Sequence, residues 1–137
     1  MRVLITTPND LSDFASGLKE GFTASGHNAR VFCTDKNSPA LESARILLGT
    51  PLRSLALRYF KKHCRLINQL FKNLVNDFVP DLTITLGCDF FEEETLPSLT
   101  FLKKPTLLWV NEDPCSVDFF DSFKIQRFTS YSHIAVP

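Results

Sequence analysis

Four short apolar runs, Val3–Thr6, Ala29–Cys33, Leu82–Leu86 and Thr106–Val110, constrain this chain more than any other feature. Each is continuous rather than alternating, the pattern of a strand covered by helices on both sides of a parallel sheet. A fifth run, His133–Val136, completes the set. Helical periods fill the intervals. Between the first two runs, Phe14, Ala15, Leu18, Gly21 and Phe22 recur at spacings of three and four, predicting a helix over Ser12–Ser25. Asp10 or Ser12 can cap its start, and Gly26-His27 stops it.

Pro51–Phe78 is the longest periodic segment, with Leu52, Ala56, Tyr59, Phe60, Cys64, Ile67, Leu70, Phe71, Leu74, Val75 and Phe78 at apolar positions. It predicts one helix of about seven turns, with Pro51 near its first turn and Pro80 after its end. Pro39–Gly49 favours a short helix broken by Gly49-Thr50-Pro51, and Glu92–Lys103 predicts another, interrupted near Pro97. Strands alternating with helices imply a three-layer α/β domain with a parallel sheet. The first crossover joins neighbouring strands, and the long helix returns the chain past the first strand. The order 2-1-3-4-5 follows, a Rossmann-like, flavodoxin-like sheet that reverses direction between strands one and three.

The 137 residues, 44% of them hydrophobic, suffice for one core, so 1–137 reads as a single domain. Lys plus Arg equals Asp plus Glu at 15 each, which gives no reason to expect nucleic acid as a partner. Charge is nevertheless segregated. No acid lies between Ser43 and Asn76, where Arg45, Arg53, Arg58, Lys61, Lys62, Arg65 and Lys72 accumulate; Asp77–Asp121 holds ten acids against Lys103 and Lys104. A basic flank and an acidic rim are expected. Arg58, Lys61, Lys62 and Arg65 lie opposite the apolar positions of the long helix and form a solvated face or a contact for a membrane surface or another protein. No stretch resembles a signal peptide or approaches the roughly 20 apolar residues of a membrane span. Cys33, Cys64, Cys88 and Cys115 form no Cys-x-x-Cys pair, so a cytoplasmic protein with reduced thiols is expected.

In the expected order, three loops leave the carboxyl ends of central strands: Thr7-Pro8-Asn9-Asp10, Gly87-Cys88-Asp89-Phe90 and Asn111-Glu112-Asp113-Pro114. The first has no glycine to admit a dinucleotide pyrophosphate, and no phosphate-binding Gly-x-x-x-x-Gly-Lys-Ser/Thr occurs anywhere. Four carboxylates, Asp10, Asp89, Glu112 and Asp113, remain at the expected crevice. Such a cluster can raise one member's pKa and make it a general base, orient sugar hydroxyls through charge-assisted hydrogen bonds, or hold a metal. A turn cap or a solvated position on the surface is the alternative for each. Trp109 ends the fourth run as a core residue or, with its ring at the cleft, a stacking surface. His27, His63 and His133 are poor catalytic candidates, and no Gly-x-Ser-x-Gly elbow is present.

Arg2-Val3-Leu4-Ile5, the stretch Gly17–Phe22 through Ser25-Gly26-His27, Pro80-Asp81-Leu82, Gly87-Cys88-Asp89 and Leu108–Pro114 together resemble the amino-terminal half of CgeB-like glycosyltransferases. The tryptophan followed by an acidic Asp-Pro turn is the most specific part. The resemblance implies a GT-B enzyme, in which two Rossmann-like domains face each other across a cleft. The first holds the sugar or glycan acceptor and the second the nucleotide-sugar donor, usually without bound metal. It places Glu112 and Asp113 at the cleft as candidates for the base or for orienting the acceptor. Asn9, Asp10, Asp89, Asn111 and Trp109 become candidate substrate contacts. No cofactor is expected on this domain, the donor belonging to a second domain with no counterpart in these residues.

A flavodoxin-like binding or regulatory module is the alternative. A phospho-receiver would use Asp10 and Asp89, but its lysine should follow the last strand, whereas Lys104-Pro105 precede the fourth run. A third reading is an interaction protein working through the basic helix face.

Overall fold

The computed structural model describes residues 1–7, 13–34, 53–86, 103–110 and 131–135. Seven elements lie within them. Strand β1 (Arg2–Thr7) leads to helix α1 (Asp13–Ala24) and β2 (Asn28–Cys33); helix α2 (Arg53–Phe78) precedes β3 (Leu82–Leu86), β4 (Thr106–Trp109) and β5 (His133–Ala135). The sheet has five strands, all parallel, in the order β2-β1-β3-β4-β5. This is the Rossmann-like α/β architecture that the apolar runs predict, with helices on both faces. The segment 39–49 and all but the last residue of 92–103, also read as helical, lie outside the described residues; Lys103 itself is a turn residue with φ of 50°, not helical.

Side-chain alternation along the strands divides the core in two. On one face, Val3, Ile5, Ala29, Ile84 and Leu86 pack with Ala15 of α1, flanked by Leu18, Phe22, Leu107 and Trp109. On the other, Leu4, Phe32, Leu108 and Val110 pack under Ile67, Phe71, Val75 and Phe78 of α2, together with Tyr131. Burying a residue such as Phe71, which is fully covered, stabilises the fold by about 2–3 kcal/mol before entropy is counted.

Local chemistry fixes the turns. Gly26 has φ of 78°, and its N–H donates to Thr23 O while His27 N–H donates to Phe22 O, a left-handed helix stop that only glycine adopts without strain. The Phe22 and His27 rings meet across it at 6.1 Å. At the amino edge of the sheet, Asp81 accepts a hydrogen bond from Arg2 N–H at 2.8 Å and lies 3.5 Å from Lys104 Nζ. Ser132 locks the edge strand: its hydroxyl donates to Thr106 O and accepts from Thr106 N–H, both at 2.8 Å.

Candidate functional site

The registers bring three strand ends to one level. Thr6 pairs with Thr85, and Leu86 with Trp109, so β1, β3 and β4 terminate side by side at the carboxyl edge. The sheet order reverses between β1 and β3, the position at which open α/β sheets form a ligand crevice. The three acid-bearing segments depart in sequence from these ends. Asn9, Asp10, Asp89, Asn111, Glu112 and Asp113 themselves lie outside the described residues.

Trp109 is the one candidate contact within them. Its half-buried ring sits on the α1 face, 5.2 Å from the ring of Phe14 and tilted by 49°. The tilted contact fixes the indole between sheet and helix at the last residue of β4. Phe14 is itself exposed, so this aromatic pair closes the α1 side of the carboxyl edge while remaining open to solvent.

Polar groups gather on the opposite face, beneath α2. Thr6, Thr83, Thr85 and Thr106 are all buried there, on the parity of Leu4 and Leu108. Thr106 is satisfied by Ser132. The hydroxyls of Thr6 and Thr85, an in-register pair across the reversal point, are buried without a hydrogen-bond partner. Each such hydroxyl costs about 1–3 kcal/mol relative to an apolar group of the same shape. Asn68 of α2 is buried as well. It was missed in the sequence because a polar residue between Ile67 and Phe71 reads as the border of an apolar stripe.

The contacts of α2 fix its direction. Phe71 meets Phe32 near the carboxyl end of β2, with ring centroids 5.4 Å apart, whereas Phe78 lies under the Arg30 guanidinium nearer the amino end, at 4.6 Å. The helix therefore runs antiparallel to the strands, and Asn68 and Ile67 stand about a turn beyond Phe71, level with the carboxyl edge. The segment from Arg53 to Leu66 rises roughly 20 Å further, past the edge. Arg58, Lys62 and Arg65 are exposed on it, and the side chain of Lys61 lies outside the described residues.

Electrostatic perturbation within the described residues sits at the other edge. The hydrogen bond from Arg2 N–H, with the charges of Arg2 and Lys104, holds the Asp81 carboxyl below the usual carboxylate range. Lys104, the lysine a receiver reading would need at the carboxyl edge, is thus engaged at the amino edge. The Cys33 side chain is buried at the end of β2. Among the described residues, no three His, Cys, Asp or Glu side chains converge as metal ligands, and no helix is long and apolar enough to cross a membrane. Comparison with protein-family models, curated proteins and solved structures gives no significant match.

Proposed function

We propose that this domain is the acceptor-binding half of a cytoplasmic GT-B glycosyltransferase, receiving a sugar or glycan at the carboxyl edge of β1, β3 and β4. One observation carries the reading: three strand ends in register at the reversal point of a parallel sheet, from which the segments bearing Asp10, Asp89, Glu112 and Asp113 depart. In this reading Asn9, Asp10, Asp89 and Asn111 accept or donate hydrogen bonds to acceptor hydroxyls, and Trp109 offers an aromatic face beside them. An acceptor oxygen bonds to the anomeric carbon of the donor sugar, the bond from that carbon to the nucleotide diphosphate breaks, and Glu112 or Asp113 takes the hydroxyl proton. The donor is bound by a second domain.

Amide spectra recorded during titration with a panel of mono- and oligosaccharides test the proposal. Shifts confined to Thr7, Leu86, Val110 and the Trp109 indole, abolished by Asp113→Ala together with Asp89→Ala, are expected. Saturable binding that moves Asp81 and Lys104 at the amino edge instead, or no response to any saccharide, would refute it.

A further inference from the structure

The overhanging half of α2 presents two kinds of side chain on one outward face. At about 100° per residue, Leu55, Lys62 and Leu66 form a stripe roughly 40° wide, with Arg58 and Arg65 along one side and Leu70 along the other. Leu55 and Leu66 are 45% and 51% exposed, and Leu70 is 36% exposed. The packed face of the helix, from Ile67 to Phe78, points the other way. Neither core cluster includes these leucines, and together they form an apolar strip on the outer side of the helix.

We infer that this face is a docking surface for an anionic lipid bilayer. Charge complementarity names the occupant: Arg58, Lys62 and Arg65 are exposed within two turns of a helix that carries no acid before Asp77. The leucines beside them match the shallow apolar penetration of a helix lying in the headgroup plane, the cations meeting lipid phosphates. Cations without leucines would suit a soluble polyanion, and leucines without cations a hydrophobic groove. Here both share one face of the helix, on the side away from the packed core. The inference rests on α2 alone and stands whether or not the saccharide proposal does.

Flotation of the whole chain with phosphatidylcholine vesicles, with and without phosphatidylglycerol, tests it. Binding only to the anionic vesicles is expected, falling as salt screens the headgroups. Each exposed cation near the surface contributes on the order of fivefold in affinity, so Arg58→Gln/Lys62→Gln/Arg65→Gln should weaken binding roughly a hundredfold. Leu55→Ser/Leu66→Ser should weaken it severalfold while leaving its salt dependence in place. All five side chains are exposed, so circular dichroism should show both variants folded. Absence of flotation with anionic vesicles, or binding indifferent to both variants, would overturn the inference. So would salt-sensitive self-association without flotation, which would assign the face to the acidic segment of a second copy.

Discussion

Replacing Thr6 by Val tests the central oddity of the sheet. The hydroxyl is buried with no partner, in the strand beside the reversal point, and valine keeps the branched shape and the strand preference. Removing an unsatisfied hydroxyl relieves about 1–3 kcal/mol, and the methyl that replaces it adds about 0.8 kcal/mol of apolar burial. Taking the lower end of the first figure, Thr6→Val should gain about 1–2 kcal/mol. With a urea dependence of about 2 kcal/mol per molar, the unfolding midpoint rises by roughly 0.5–1 M at unchanged slope. Thr85→Val should behave alike, and the double variant reports whether the neighbours are coupled. Additive gains mean that each hydroxyl stands alone. A midpoint lowered by a comparable amount in both single variants, with recovery in the double, would mean that the hydroxyls bond to each other, and would refute the reasoning.

The remaining predictions concern the edges and turns. Because the Asp81 carboxyl is held low, its contribution is present at neutral pH and is lost as pH falls through the depressed value. Chemical denaturation at several pH values should therefore show the stability gap between the parent and Asp81→Asn constant near neutrality and closing in acid. Val79, with φ of 46°, ends α2 in the left-handed region that a β-branched residue resists; Val79→Gly should gain about 0.5–1 kcal/mol in urea unfolding, the relieved strain exceeding the added chain entropy. Ser132→Ala removes two hydrogen bonds that lock β5 to β4 and should cost about 1–2 kcal/mol. Hydrogen exchange should accelerate at the Val110 amide, whose acceptor is Ala135 O.

The strands were legible in the sequence because burial on both faces writes a local, continuous signal. Val3–Thr6 extends by one residue at each end, Leu82–Leu86 matches as read, and Thr106–Val110 ends one residue early although Val110 N–H still reaches β5. The helices Ser12–Ser25 and Pro51–Phe78 appear as Asp13–Ala24 and Arg53–Phe78, with Ser12, Pro51 and Leu52 outside the described residues. The sheet order followed from connection length and handedness, which are rules of topology rather than of composition. The Thr6–Thr85 pair was not legible in the same way. A threonine inside an apolar run looks like any β-branched strand residue; only the register across two strands seventy-odd positions apart sets the hydroxyls side by side. Of the candidate site residues, Trp109 falls within the described residues, and its contact with Phe14 joins two segments that no sequence window contains.

The length of α2 was readable, and its consequence is a mismatch with the sheet. At about 1.5 Å per residue the helix spans roughly 39 Å, whereas strands of four to six residues reach about 13–20 Å, so half of it lies beyond what the sheet can cover. The two halves should therefore respond differently to substitution. Phe71→Ala opens a cavity under the sheet and should cost about 3–5 kcal/mol, whereas Leu55→Ser, on the outer face of the overhang, should stay within about 0.5 kcal/mol of the parent. Urea midpoints of the two variants separate the cases directly. A Leu55→Ser loss approaching that of Phe71→Ala would mean that the amino-terminal half is built into the core, and with it the basic face would cease to be a free surface.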